Sequence, residues 1–133
     1  MKKMTPIFLI MTLLLTGCTS SAPKTVPEAN TYRQITMQEA VEMMEKEENY
    51  VILDVRTHEE FAAGHIPGAI VIPNETIGTE EISQLSDKDQ LIMVYCRSGN
   101  RSKQASDKLV KLGYTNIVEF GGIIDWPGEI VID

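Results

Sequence analysis

The residues best suited to chemistry in this sequence are a cysteine and the six residues after it. These are Cys96, Arg97, Ser98, Gly99, Asn100, Arg101 and Ser102. An apolar segment with the composition of a buried strand precedes them at 91–95, and apolar residues at helical spacing follow them over 102–112. Amides in a tight turn between a strand and a helix can converge on an anion, and the helix N-terminus adds partial positive charge. We therefore expect an anion cradle with a thiol at its floor.

Such a cradle predicts a reactive thiol at Cys96. Amide dipoles and the guanidinium groups of Arg97 and Arg101 should favour the thiolate and lower the pKa of the thiol. Thiolate is the form of cysteine that acts as a nucleophile. A cysteine that follows a buried strand can also be a small apolar core residue. Apolar packing does not need two arginines nearby, so the pattern favours an activated nucleophile.

Strand and helix signals alternate through the part of the chain that should position this loop. Thr36 with Glu39, and Thr57 with Glu60, have capping-box spacing, which predicts a helix after each threonine. Five segments have the length and composition of strands, and these are 32–35, 50–55, 70–72, 91–95 and 117–120. Gly121 and Gly122 should break the last of them.

This alternation predicts an α/β fold with a central parallel sheet of about five strands and helices on both faces. Ligands of such sheets bind beyond the carboxyl ends of the strands. The Cys96 loop follows a strand directly, so topology and chemistry point to the same place.

Three other polar residues come close to strand ends or turns and are supporting candidates. Asp54 and Arg56 end the second strand, where they could be catalytic, although a structural ion pair and capping role is the simpler interpretation. His65 lies in the turn 64–69 and could serve as a base for Cys96. We favour a turn histidine that is hydrogen-bonded to backbone.

The N-terminal residues have the organisation of a bacterial lipoprotein signal peptide. Lys2 and Lys3 precede an apolar run at 7–15, which is too short for a lasting membrane span. Leu15-Thr16-Gly17-Cys18 resembles a lipobox. The resemblance implies a signal peptide at 1–17, a lipidated Cys18 at the start of a flexible tether at 18–31, and a folded domain at 32–133. The domain would then be lipid-anchored in the cell envelope, on the extracytoplasmic side of a bacterial membrane.

Charge and cysteine content exclude several classes of partner. The formal net charge is −7, which argues against a nucleic-acid partner. The chain has two cysteines, and lipidation of Cys18 would leave Cys96 as the single free thiol. The sequence has no Cys/His pattern typical of zinc. We expect neither a metal nor an organic cofactor.

Several spaced motifs together resemble a single-domain rhodanese. They are Leu53-Asp54-Val55-Arg56, Glu59-Glu60-Phe61, Gly64-His65-Ile66-Pro67-Gly68-Ala69, the Cys96 loop, and Gly121-Gly122 with Trp126. The resemblance spans about 32–126. It implies a rhodanese fold and a persulfide on Cys96 as a covalent intermediate. Arginine within the loop is similar to the thiosulfate-using branch of the family, and not to the branch associated with mercaptopyruvate.

The resemblance therefore implies a sulfurtransferase that moves sulfur from thiosulfate, or a related small sulfur-containing anion, to a thiol or cyanide acceptor. Arg97 and Arg101 would hold the donor, and the amides of Ser98 to Ser102 would bind the persulfide anion. Gly99 would supply a backbone angle that a side chain forbids. Three alternatives remain open. They are a phosphatase or arsenate reductase with five residues between Cys and Arg (here there are four), a membrane-tethered persulfide carrier or sensory module with little turnover, and a structural domain with an inert cysteine.

Overall fold

A computed structural model describes residues 31–132. The elements, in chain order, are β1 (Arg33–Gln34), α1 (Met37–Lys46), β2 (Tyr50–Asp54), α2 (His58–Ala63), β3 (Ile70–Val71), β4 (Leu91–Cys96), α3 (Asn100–Lys111) and β5 (Ile117–Gly122). Short 3-10 turns lie at Asn74–Thr76, Ser83–Leu85 and Ile123–Asp125. The predicted signal peptide, Cys18 and nearly all of the tether lie outside the described residues. None of the described helices is long and apolar enough to cross a membrane.

The strands form one sheet in the order β1-β5-β4-β2-β3, and every pairing is parallel. The predicted five-strand parallel sheet is therefore confirmed. All six residues of β4 are buried, and this strand lies between β2 and β5. The Cys96 loop thus begins at the middle of the sheet, where packing on both faces holds its first residue in place.

Apolar side chains cover both faces of the sheet. On one face, Ala105 and Leu109 of α3 pack against residues that include Leu53 and Val94. On the other face, Ala40 of α1 belongs to a cluster whose members include Ile52, Met93, Tyr95, Val118 and Phe120. Burial on both faces stabilises the sheet and confirms the prediction of helices on both sides.

The predicted helix caps are present. The Thr36 side chain accepts the Glu39 N–H at 3.1 Å, and the Glu39 carboxylate accepts the Thr36 N–H at 2.7 Å, which completes a capping box. Thr57 likewise accepts the Glu60 N–H at 3.1 Å. The Glu60 carboxylate, however, does not turn back to the backbone of Thr57. It reaches Arg101 of α3, so this cap also orients a side chain of the loop region.

Two element boundaries differ from the prediction by two residues, and the remaining strand bounds differ by at most one. Helix α3 begins at Asn100 and not at Ser102, because Gly99 in a left-handed conformation (φ 109°) ends the loop earlier than the apolar spacing indicated. Strand β5 continues through Gly121 and Gly122, which were expected to break it. The pairing register shifts between Val94 and Cys96, and Gly121 has φ 97°, so the glycines carry a bulge within the strand.

Candidate active site

Cys96 is the last residue of β4, and the chain turns from it into α3 through only three residues. The residue is buried, with 1% of its surface exposed. Its sulfur lies below the N-terminus of α3, where the first amides of the helix have no partner within the helix. The predicted arrangement of a thiol at the floor of a strand-to-helix loop is therefore present.

An amide and a hydroxyl group contact the Cys96 sulfur. The Gly99 N–H donates to Sγ at 3.0 Å, and the Ser102 Oγ lies 3.5 Å from Sγ. Burial raises the pKa of the thiol, but hydrogen bonds from the Ser102 side chain and from the amides of Ser102, Gly99 and Ser98 outweigh it, so the pKa of Cys96 is lowered. The direction of the predicted shift is confirmed. Its cause is a set of hydrogen-bond donors.

The backbone of β5 supports the loop from the side. Gly122 pairs with Cys96, and a Cβ at position 122 would collide with the carbonyl group of Arg97 and with the Cα of Ser98. The Ile124 N–H donates to the Arg97 carbonyl oxygen at 3.3 Å. The loop thus lies directly against the bulged end of β5, and this close approach requires glycine at position 122.

The two loop arginines are in different environments. Arg101 forms a bidentate ion pair with Glu60 of α2, with N···O distances of 2.7 and 2.9 Å. Hydrogen bonding to Glu60 raises the pKa of Arg101, and the charge of Cys96 contributes in the same direction, so the guanidinium lies within electrostatic reach of the sulfur. Arg97 is exposed, and within residues 31–132 its guanidinium forms no ion pair or hydrogen bond. Arg97 and Arg101 were both predicted to hold the donor, and Glu60 partly neutralises Arg101 whereas Arg97 has no such partner among the described residues.

Asp54 and Arg56 form a closed pair after β2. The Arg56 guanidinium donates to Asp54 at 2.7 to 3.1 Å and to the Gly64 carbonyl at 2.7 Å. The Asp54 carboxylate also accepts the Arg56 N–H at 2.9 Å. Both side chains are buried. These contacts confirm the structural ion pair and capping role that the sequence favoured.

His65 is held by backbone groups and by a neighbouring ring. Its Nδ1 lies 2.9 Å from the Phe61 carbonyl oxygen, and its ring stacks on Phe61 with centroids 3.7 Å apart. Its N–H donates to the Val131 carbonyl. The interpretation as a backbone-bonded turn histidine is confirmed.

Sequence reasoning missed one polar residue of the site. Glu119 of β5 is 3% exposed, and its Oε1 accepts the Ser102 hydroxyl at 2.6 Å and the Gly121 N–H at 2.9 Å. A signal was available, since Glu119 is the one charged residue in an otherwise apolar strand. Among residues 31–132, no three His, Cys, Asp or Glu side chains form a group that could hold a metal ion.

Comparisons with known proteins agree with this geometry. A sequence model of the Rhodanese-like domain family matches residues 36–128. The chain is 33% identical over 104 residues to the thiosulfate sulfurtransferase GlpE of Haemophilus influenzae, which covers 77% of this chain and 95% of that protein. It is 29% identical over 102 residues to the putative sulfur carrier protein YrkF of Bacillus subtilis, which covers 76% of this chain and 54% of that protein.

A solved structure described as a rhodanese with anions from E. coli shares the fold. Its TM-score to this chain is 0.57 at 34% identity, and the match covers 63% of this chain and 99% of the other. Sequence and structure comparisons thus point to the same family.

Proposed function

The chain belongs to the rhodanese-like family and is a rhodanese-like transferase, and we propose that it moves sulfane sulfur from thiosulfate or a related donor through a persulfide on Cys96. The observation that carries this proposal is the Gly99 N–H that donates to Sγ at 3.0 Å at the base of α3. An amide in that position stabilises a negatively charged sulfur. The relative named a thiosulfate sulfurtransferase supports thiosulfate as the donor.

In the proposed reaction, the Cys96 thiolate attacks the outer sulfur of thiosulfate. A bond forms between Sγ and that sulfur, and the sulfur–sulfur bond of the donor breaks with its electron pair leaving on sulfite. Cys96 then holds a persulfide anion, and the total charge is unchanged. A thiol or cyanide acceptor attacks the outer sulfur of the persulfide and restores the thiolate. Because Cys96 is only 1% exposed, the donor must present a terminal sulfur that can enter the loop.

The loop residues take separate roles in this proposal. The amides from Ser98 to Ser102 face the sulfur or begin α3, where they bind the persulfide anion. Arg97, which is exposed and unpaired within the described residues, attracts the anionic donor. Arg101 stays on Glu60 and contributes a fixed, partly neutralised charge beside the loop. The similar E. coli structure, described as a rhodanese with anions, supports anion binding by a protein of this fold.

Sulfur loading of the full chain tests the proposal. After incubation with thiosulfate, mass spectrometry should find one extra sulfur atom on the peptide that contains Cys96. Cys96→Ala should show no loading and no sulfur transfer to cyanide, whereas Cys18→Ser, the matched control at the other cysteine, should load like the wild type. Sulfur transfer retained by Cys96→Ala would refute the assignment.

A persulfide carrier with little turnover is the second candidate. The burial of Cys96 and the similarity to a relative named a putative sulfur carrier favour it. Rapid loading followed by slow transfer to small thiols would support the carrier. Steady turnover with thiosulfate and cyanide would support the transferase as the working activity.

We also propose that Cys18 is lipidated and anchors the domain outside the cytoplasmic membrane. The support is the sequence order of cations, apolar run and Leu15-Thr16-Gly17-Cys18. Cys18→Ser should prevent lipidation. The protein should then either move from the membrane fraction to the soluble fraction or keep its signal peptide uncleaved. A Cys18→Ser protein that is cleaved and remains in the membrane fraction like the wild type would refute the anchor and leave the sulfur chemistry untouched.

A further inference from the structure

A buried carboxylate lies directly behind the loop and contacts it through one hydroxyl group. The Oε1 of Glu119 lies 2.6 Å from the Ser102 Oγ, and that Oγ lies 3.5 Å from the Cys96 sulfur. All three residues are at most 3% exposed. They form a continuous hydrogen-bonded chain from the thiol to the carboxylate, with no exposed group between them.

Glu119 carries no compensating cation. Among residues 31–132, no lysine, arginine or histidine forms an ion pair with it. Its contacts are the Ser102 hydroxyl and the Gly121 N–H, both on Oε1. A buried carboxylate without a cation is an energetically costly charge.

The Ser102 hydroxyl has one hydrogen and more than one acceptor for it. Glu119 Oε1 at 2.6 Å and the Gly99 carbonyl at 2.9 Å both lie within reach, and so does the Cys96 sulfur when it is a thiolate. The 2.6 Å distance is typical of a hydroxyl bound to a carboxylate. While Ser102 donates to Glu119, it can only accept from the thiol, so the Ser102 hydroxyl lowers the pKa of Cys96 only when its hydrogen turns toward the sulfur.

We propose that Glu119 is a positioning residue that takes up, through Ser102, the proton of the Cys96 thiol. The S–H proton moves to the Ser102 Oγ while the hydroxyl proton moves to the Glu119 Oε1. The S–H bond and the original O–H bond break, a new O–H bond forms on each oxygen, and no proton enters or leaves the site. The thiolate then accepts from Ser102, and the neutral Glu119 donates to Ser102.

Every hydrogen bond of the chain is kept in this transfer, and only its direction reverses. The reversed chain is the state in which the Ser102 hydroxyl stabilises the thiolate, in agreement with the lowered pKa of Cys96. Without the transfer, a thiolate and a carboxylate would be ionised on either side of one buried hydroxyl. The pair avoids that repulsion by sharing one proton.

Other charged groups near this chain lie on separate elements. Arg101 on α3 is within electrostatic reach of the sulfur and is itself bound by Glu60 of α2. Tyr32 directly precedes β1 and lies close enough to Glu119 for the charge of Glu119 to act on it. Burial raises the pKa of Tyr32, and the charges of Asp107 and Glu119 raise it further. The pKa of Glu60 is lowered to about 2, and those of Arg101 and Tyr32 are raised, so these three groups do not change charge between pH 5 and 9.

The inference deepens the proposed function and is tested by a measurement that needs no sulfur donor. The rate of alkylation of Cys96 by uncharged iodoacetamide is followed from pH 5 to 9 on the Cys96 peptide of the full chain. In the wild type the rate should rise in two steps, because the pair loses its two protons one after the other. In Glu119→Gln it should rise in one step, and the rate near pH 6 should be about tenfold lower.

The amide of Glu119→Gln keeps the hydrogen bonds but cannot take the proton. The Gly121 N–H holds the amide oxygen in place, so the Ser102 hydroxyl still donates to it and still faces the thiol with its lone pair. A carboxylate with a purely electrostatic effect predicts the opposite result. Removal of its charge would favour the thiolate and move the profile to lower pH.

Two further variants complete the test. Ser102→Ala breaks the chain at its middle and should also give a single step, with unfolding measurements to confirm that the domain remains folded. Asp107→Asn removes a carboxylate that, like Glu119, raises the pKa of Tyr32 but is not part of the hydrogen-bonded chain from Cys96 to Glu119. The alkylation profile of this variant should keep two steps. A single step in the wild type, or a profile of Glu119→Gln at lower pH, would overturn the relay. Failure of wild-type Cys96 to load sulfur would instead overturn the proposed function.

Discussion

The carboxyl ends of β2 and β4 are neighbours in the sheet, yet they are used in opposite ways. Asp54 at the end of β2 pairs in register with Tyr95, the residue before Cys96 in β4. After β2, the guanidinium of Arg56 fills the turn and binds both Asp54 and the Gly64 carbonyl. After β4, amides and a hydroxyl surround a single sulfur atom.

The difference shows how one sheet edge can hold both a turn closed by its own ion pair and a turn whose polar groups converge on a thiol. The turn after β2 contains its own anion and its own cation, so its polar groups are satisfied without a ligand. The turn after β4 has donors at a helix N-terminus and no carboxylate among its own residues. Its donors are satisfied when the sulfur, or a sulfur chain on it, is negatively charged. The proposed reactivity of Cys96 therefore follows from the absence of an anion among the residues of its own turn.

Replacement of the carboxylate by an amide should cost very different amounts of stability in the Asp54–Arg56 and Glu60–Arg101 ion pairs, and this is the largest effect that we expect. Asp54→Asn leaves the Arg56 guanidinium buried without a counter-charge, and the free energy of unfolding should fall by about 3–5 kcal/mol. Glu60→Gln removes a carboxylate from a pair that is about 30% exposed, and the loss should be about 0–1 kcal/mol. Urea unfolding at pH 7 measures both. Equal losses would contradict the assignment of the β2 pair as the buried structural one.

Gly122→Ala should displace the Cys96 loop and leave the turn with the Asp54–Arg56 ion pair unchanged. The added Cβ would collide with the backbone of Arg97 and Ser98, so the loop must move away from β5. A displacement of about 1 Å can reduce the rate of a positioned reaction about 100-fold, and we expect a loss of that size in sulfur transfer. Gly78→Ala is the control, since nothing lies within 4 Å of a Cβ there. Full activity of Gly122→Ala would mean that the loop does not depend on its contact with β5.

The stabilisation that the Glu60–Arg101 ion pair provides should depend on pH between 4.5 and about 2. The hydrogen bond from Arg101 lowers the pKa of Glu60 from 4.5 to about 2. A lowered pKa in the folded state stabilises the protein above the unfolded value of 4.5, and this contribution is lost as the pH falls toward 2. The stability difference between wild type and Glu60→Gln should therefore be present at pH 7 and shrink below pH 4.5. A difference that stays constant down to pH 3 would show that Glu60 does not titrate with Arg101.

Much of the fold could be predicted from the sequence because the signals were local. The Thr36 capping box, the apolar strands and the thiol after β4 depend on residues near one another in the chain. The partner of Arg101 lies 41 residues away, and the contact of Ser102 with Glu119 joins a helix to a strand 17 residues later. Such contacts depend on the order of strands in the sheet. Local spacing therefore located the buried thiol but not the carboxylates that contact the residues of its loop.

Ser106→Ala should have the smallest effect and sharpens the role of Ser102, which lies one helical turn earlier on α3. Both serines are fully buried, but the Ser106 Oγ has no hydrogen-bond partner among the described residues, whereas Ser102 contacts Cys96 and Glu119. Removal of an unsatisfied hydroxyl loses no hydrogen bond, and alanine favours the helix, so Ser106→Ala should change the free energy of unfolding by about zero to +0.5 kcal/mol. Thermal unfolding of Ser106→Ala and Ser102→Ala measures the contrast. A loss of stability in Ser106→Ala as large as that in Ser102→Ala would mean that polar contacts along this helix face serve stability in general, and that Ser102 has no special link to the sulfur.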